Sequence, residues 1–370
     1  MSRDLKSELF TRTRPAELFE DLGDGRLRCL ACAHRCPISE GHDGVCKVRG
    51  VRDGVLRAPT GYVAGLQVDP IEKKPFYHVL PANDALSFGM LGCDLHCAYC
   101  QNWISSQTLR DPDSVARPRD VTPERLVQLA EDEGAPVVVS TYNEPLITAE
   151  WAMEVFRPAA AAGLLCGFVS NGNATPEVLD YIRPVTSLYK IDLKAMNDRA
   201  YRDLGAPLEH ILEGIRMVHE RGFWLEIVTL VVPGINDSED ELRAMAGFLA
   251  GLSPLIPWHL TGYHPDYKLD DRGSTPVTTL LRAAEIAAEE GLMYVYCGNR
   301  PGQVGELENT RCHGCAATLI ERRSFRVLSN RLGPSGRCPD CDTAIPGVWS
   351  HPKARARAVT APARPRGLRV

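Results

Sequence analysis

Cys93, Cys97 and Cys100 form the run Cys-x3-Cys-x-Tyr-Cys. Three thiolates in so short a stretch can hold three irons of a cubane iron–sulfur cluster, which ordinarily takes four cysteines. No cysteine follows Cys100 until Cys166, so the spacing predicts a cluster with one iron free of protein. An open iron can bind and cleave a substrate, whereas a fully ligated cluster only carries electrons. The competing use of the same residues is a three-cysteine zinc knuckle completed by His96.

Two further sets have ligand spacing. Cys29, Cys32, Cys36 and Cys46 read Cys-x2-Cys-x3-Cys-x9-Cys, enough for a tetrahedral zinc or a fully ligated cubane, and spacing alone does not choose. Cys312, Cys315, Cys338 and Cys341 form two Cys-x2-Cys knuckles around the strand-like Phe325-Arg-Val-Leu. That pattern predicts a zinc-ribbon or rubredoxin-like module stabilised by its metal. Zinc is the default there, and iron would imply electron delivery. Cys166 and Cys297 stand alone, and Cys297 reads as a buried inert thiol. Thirteen cysteines, eleven of them grouped at ligand spacings, in a chain whose first residues are charged and lack an apolar core, suggest metal ligation in the reducing cytoplasm rather than disulfides.

These ligands need a scaffold. Between about 81 and 300, short apolar runs alternate with helical patterns. Leu86 to Leu91 reads as a strand ending at the cysteine loop, and strands then follow at Pro136, Leu164, Ser187, Trp224, Pro257 and Tyr294 with helices between them. Such repetition predicts an α/β fold, a partial (β/α)6 barrel of parallel strands with its chemistry at their C-terminal ends. Residues 1–80 are expected to form a cysteine-rich N-terminal module, 301–349 the C-terminal metal module, and 350–370 a basic, disordered tail. A net charge of −5 gives no global pull toward nucleic acid, and no apolar run is long enough to predict a membrane span.

The triad resembles the signature of the radical S-adenosylmethionine superfamily, Cys-x3-Cys-x-aromatic-Cys. That resemblance implies a [4Fe–4S] cluster whose open iron chelates the amino and carboxylate groups of S-adenosyl-L-methionine. It further implies one-electron cleavage to methionine and a 5′-deoxyadenosyl radical, which takes hydrogen from a substrate, and a low-potential electron donor of flavodoxin or ferredoxin type. Tyr99 would then pack on the adenine. Thr141-Tyr-Asn-Glu-Pro145 resembles the family's Gly-Gly-Glu-Pro motif, which assigns Glu144 to the methionine ammonium, with Tyr142 and Asn143 replacing the glycines. Ser170-Asn171-Gly172 and Asp192-Leu193-Lys194 resemble motifs of the glycyl-radical-enzyme activases, which assigns Asn171, Asp192 and Lys194 to ribose hydroxyls or the methionine carboxylate. Some activases place a monovalent cation here with an aspartate where this chain has Val169, so that cation is not expected. Val231 to Asp237 resembles a segment lining the adenosine, and His259 a histidine that approaches it.

The similarity extends further along the chain. Cys29-x2-Cys-x-His-Arg-Cys, Asp69-Pro-Ile-Glu-Lys-Lys-Pro75, Cys93 to Trp103, Trp258-His259, His264-Pro-Asp-Tyr-Lys268 and Tyr294-Val-Tyr-x-Gly-Asn299 resemble the radical enzyme of the AmmeMemoRadiSam system. The resemblance implies Memo-like and AMMECR-like partner proteins and an unidentified substrate. A glycyl-radical activase of the pyruvate formate-lyase type is the alternative enzyme. A non-catalytic, metal-stabilised scaffold is the alternative outside catalysis, and it would leave the open cluster and the polar strand ends idle.

Overall fold

The computed structural model describes residues 2–355 and 366–368. Its centre is one twisted sheet. An antiparallel strand, β1 (Gly65–Pro70), leads into seven parallel strands: β2 (Asp84–Gly89), β3 (Val137–Ser140), β4 (Leu165–Ser170), β5 (Leu188–Asp192), β6 (Trp224–Val231), β7 (Trp258–Gly262) and β8 (Val295–Gly298). Their order in space is their order in sequence. The crossovers carry α1 (Pro123–Asp132), α2 (Ala149–Ala161), α3 (Pro176–Ile182), α4 (Asp198–Leu204), α5 (Leu208–Glu220), α6 (Glu239–Leu252) and α7 (Val277–Glu289). The sheet ends at β8 without pairing back to β1, which makes it the expected partial (β/α)6 barrel.

Local sequence explains these elements. Val137, Val138 and Val139 are wholly buried, as a strand covered on both faces requires. Thr122, Thr175 and Ser238 cap α1, α3 and α6, each hydroxyl accepting from the backbone N–H three residues on. Pro123 and Pro176 follow the first two caps, where the missing N–H costs no helix bond.

The N-terminal module holds a helix (Ser2–Thr11) and two small three-stranded sheets. It is tied to the barrel by a buried bidentate pair, Arg49 Nη1 and Nη2 to Glu150 of α2 at 2.7 and 2.8 Å. The barrel sheet reaches back across the expected boundary at residue 80, because β1 pairs along its length with β2. The C-terminal module is a three-stranded sheet of Thr310–Arg311, Thr318–Arg323 and Arg326–Asn330. It shares an apolar cluster with Tyr77, Tyr294 and Tyr296 of the barrel wall.

Of the tail expected to be disordered, residues 356–365 and 369–370 lie outside the described residues. Its described flanks are docked, which corrects that expectation there. Lys353 pairs with Glu131 at 2.7 Å, Arg366 pairs with Glu133 at 2.7 Å, and Arg366–Gly367 adds an antiparallel strand to β1. Strand pairing and acids on the barrel surface hold a basic segment that has no apolar face of its own. No helix among the described residues is long and apolar enough to cross a membrane.

Candidate active site

The cysteine loop leaves the C-terminal end of β2. Leu95 N–H donates to Cys93 Sγ at 3.4 Å, and Cys100 Sγ lies 3.1 Å from Ser106 Oγ. Burial pushes the Cys97 thiol up to about 12 and raises Cys93 and Cys100 in the same direction. Thiolates therefore form here only when a cation takes up their charge. His96, the candidate fourth ligand of the zinc reading, is exposed and packs over Gly205, where an added Cβ would meet its ring at 2.6 Å.

A cavity of about 410 Å³ opens beside the loop, lined by Cys97, Tyr99 and Cys100 at one end and by Tyr77, His259 and Tyr296 at the other. Strand alternation builds its walls: Lys190 and Asp192 on β5, Val228 and Leu230 on β6, and His259 and Thr261 on β7 all point inward. Asp192 pairs with the ammonium groups of Lys190 and of Lys194, the latter at 3.0 Å. Burial opposes the Asp192 charge, but the two ammoniums outweigh it and hold the carboxyl well below its usual range. Asp192 and Lys194 thus stay charged and face the cavity beside Cys97. Tyr99 is buried, and its hydroxyl has no hydrogen-bond partner among the described residues.

Other expected residues lie behind the wall. The Glu144 carboxylate accepts from Leu146 N–H at 3.1 Å, Ser170 Oγ at 2.8 Å and Asn171 N–H at 2.7 Å. Burial, and then the Asp94 carboxylate, push it up to about 8. Asn171 Nδ2 donates to Asp94 at 2.7 Å. Glu144 and Asn171 therefore frame the cysteine loop and are absent from the cavity lining, whereas Tyr99, Asp192, Lys194 and His259 are part of it. His259 Nε2 is bonded to Glu226 at 2.7 Å, and its ring stacks on Tyr296. Burial lowers the His259 pKa despite Glu226, so the imidazole is neutral.

Tyr142 shows why two glycines can be replaced. Its φ is +71°, the left-handed conformation that glycine adopts without cost. Gly65 and Gly89 give it room, since a Cβ on either would lie within 2.9 Å of its side chain. Its hydroxyl donates to Asp69 at 3.2 Å and accepts from Lys74 at 3.1 Å. Tyr142 thus holds a glycine-like backbone conformation and adds a phenol to the site. Cys297 is among the lining residues, and its thiol donates to Leu280 O at 3.5 Å.

Sequence reading gave no role to Asp94, Glu226, Lys74 or Lys190. Asp94 accepts from Asn171 and Asn173 at 2.7 Å each, and Glu226 accepts from Tyr77 N–H, His78 N–H and Trp224 Nε1. The available signal was a lone charge inside an apolar strand run, as at Glu226 and Lys190, because buried charges are kept only with partners.

The C-terminal cysteines converge. Cys312 and Cys341 sulfurs lie 3.5 Å apart, Cys315 and Cys338 sulfurs 3.7 Å, and all four fall within 4.8 Å of one another. A tetrahedral ion with bonds of about 2.3 Å places sulfurs about 3.8 Å apart, so the set fits one metal ion.

Comparison with known proteins agrees with this site. The Radical SAM superfamily matches residues 89–246. An uncharacterized protein of Methanocaldococcus jannaschii is 38% identical over 90% of this chain and 98% of its own length. The pyruvate formate-lyase 1-activating enzyme of Escherichia coli is 27% identical over 54% of this chain and 87% of its own. Among solved structures, a radical SAM methyltransferase from Sphaerobacter thermophilus is similar at a TM-score of 0.47 and 16% identity, over 81% of this chain and 82% of that one. The family match begins at the end of β2 and takes in the three cysteines, the ends of β2 to β6 and half the cavity wall. With a three-cysteine loop at the mouth of a partial barrel, residues 89–246 form a radical SAM superfamily domain, and the chain is an enzyme.

Proposed function

We propose that the cavity binds S-adenosyl-L-methionine against a [4Fe–4S] cluster held by Cys93, Cys97 and Cys100, and that its far end admits the substrate. The observation that carries this reading is a single cavity joining Cys97, Tyr99 and Cys100 to Asp192, Lys194 and His259. The residues fit the group: three buried thiols lack a fourth, a buried tyrosine hydroxyl lacks a partner, and fixed charges of both signs stand beside them. When bound, cluster and cofactor together supply one-electron carbon–sulfur cleavage and hydrogen-atom abstraction.

Each residue has a defined task. Lys194 offers an ammonium to the cofactor's carboxylate, and Asp192 accepts from its hydroxyls or ammonium. Glu144 fixes the backbone of Asn171 and the turn at Pro145, a positioning task rather than direct contact. Neutral His259, oriented by Glu226, offers a ring edge beside Tyr77 and Tyr296 and releases no proton near neutral pH. Lys73 and Lys74 share the one carboxylate of Asp69, and Lys190 and Lys194 that of Asp192, an excess of positive charge that suits a substrate carrying carboxylate or phosphate.

The motif string supports a place in an AmmeMemoRadiSam-type system with a reductant and Memo-like and AMMECR-like partners. A second reading, glycyl-radical activation, is favoured by the similarity to the E. coli activating enzyme. Deuterium separates the two. A deuterated small anionic substrate should pass its label into 5′-deoxyadenosine, whereas an activase should raise a glycyl-radical signal in a partner enzyme and take label only from its glycine. Neither transfer, under conditions where 5′-deoxyadenosine forms, would remove both readings.

A further inference from the structure

Behind the triad lies a second group of thiols that the cavity chemistry leaves unused. Cys29 and Cys36 face each other across the hairpin of Arg26–Cys29 and Pro37–Ser39, with Cys29 N–H donating to Cys36 O at 2.9 Å. Cys32 sits in the connecting turn. Cys46 arrives on the next loop, whose Val45 N–H donates to Cys36 Sγ at 3.5 Å. Cys29, Cys32 and Cys46 are buried and Cys36 nearly so. The loop that carries Cys46 closes over Cys36, since a Cβ at Gly44 would lie 3.5 Å from Cys36 Sγ.

Spacing distinguishes the three cysteine sets. Among the described residues, only the C-terminal set brings three or more ligand atoms within 4.8 Å of one another, as one tetrahedral ion requires. Neither the N-terminal set nor the triad brings three sulfurs that close together among the described residues. A wide spread is what a cubane needs, because each thiolate goes to a different iron. With four thiols, no iron is left open.

The surroundings suit a buried anionic cluster. Arg49 is 1% exposed, and its Nε–H has no hydrogen-bond partner among the described residues. Arg49 follows Cys46 by three residues on the same loop, and its C=O accepts from Gly44 N–H at 2.9 Å. An unpartnered buried N–H beside thiolates matches the hydrogen bonds that cluster sulfurs accept. The two cysteine sets also touch. Gly92, with φ of +91°, precedes Cys93, and a Cβ there would lie 2.8 Å from Val48 and 3.1 Å from Cys46 O. Arg110 donates to Leu95 O at 2.8 Å and to Val45 O at 2.6 Å, bridging both loops.

We propose that Cys29, Cys32, Cys36 and Cys46 ligate a second, fully cysteine-coordinated [4Fe–4S] cluster, packed beside the triad. The test uses the full chain, purified anaerobically, with iron, zinc and acid-labile sulfide counted per chain. Sulfide is the deciding count, since a mononuclear iron at the C-terminal module adds none. The wild type should hold about eight sulfides, four for each cubane. A triple variant, Cys93→Ala with Cys97→Ala and Cys100→Ala, should keep about four, in a cluster whose reduced electron paramagnetic resonance signal is unchanged by S-adenosylmethionine. The single variant Cys46→Ala should lose that unresponsive signal and keep the responsive one. A triple variant without sulfide, or a wild type with about four sulfides and a second zinc, overturns the proposal. The result does not depend on the triad's function, because the triple variant removes that site.

Discussion

Asp192 stands between Lys190 and Lys194 at the cavity wall, and both ammonium groups depend on it. Asp192→Asn should leave two buried cations poorly compensated and weaken S-adenosylmethionine binding at least about tenfold, or about 1.4 kcal/mol, by equilibrium titration of the reconstituted protein. Unchanged affinity would place the cofactor elsewhere. Glu72, on the same wall, shows a different balance. Burial pushes its carboxyl up to about 7 although Arg322 lies 3.9 Å away. Between the unfolded value of about 4.5 and about 7, the native state keeps a proton that the unfolded chain has lost. Stability should therefore fall as pH rises through that window, by about 1–3 kcal/mol, and level off above it. Glu72→Gln should abolish that part of the slope in denaturant titrations from pH 5 to 8, and an unaltered slope would show that Glu72 is not its source. At this scale the cysteine groupings were legible because ligation demands fixed spacing, and the structure brings the four C-terminal sulfurs together. Glu144 was legible as a motif but not as a buried anchor, since only the fold reveals that Ser170 and Asn171 occupy it.

The strands were legible because buried parallel strands need continuous apolar runs and their helices need caps, as at Thr122 and Ser238. The antiparallel β1 was not, because Gly65–Pro70 begins with glycine, ends with proline and sets Gln67 and Asp69 among its apolar residues. The docked flanks of the tail were invisible for a related reason: edge-strand pairing uses backbone groups that any sequence has. The C-terminal module joins the barrel through Arg322, which donates to Tyr77 O at 2.7 Å and lies over its ring. Tyr77 in turn meets His259 edge-on at 4.7 Å. Metal loss in the module should therefore reach the cavity. Cys338→Ala removes one thiolate from a site whose binding free energy is on the order of 10 kcal/mol in small zinc domains. The module should become protease-sensitive near residues 310–345 while the triad still binds its cluster. A protease-resistant variant with full metal content would show that the four thiols do not hold an ion.

Across the molecule, the segment after β1 and the C-terminal module reach the cavity through Tyr77 and Phe325, and the loop of Cys46 packs against the triad loop at Gly92. The net charge of −5 conceals a cavity edged by Lys73, Lys74, Lys190 and Lys194, a local concentration that composition cannot show. The partial barrel and the open cysteine triad were readable from sequence, whereas the wall joining Tyr77 to His259 required the fold, because its residues lie on distant segments. Glycine and tyrosine exchange roles at Tyr142 for the same reason, since the space comes from Gly65 and Gly89. The most direct measurement is 5′-deoxyadenosine formation by the anaerobically reconstituted protein with S-adenosylmethionine and a low-potential reductant. Wild type should accumulate 5′-deoxyadenosine and methionine, and Cys97→Ala should fall to the level of the protein-free control. No product from wild type with an intact, reduced cluster, or equal product from Cys97→Ala, would contradict a cofactor-cleaving cluster at Cys93, Cys97 and Cys100.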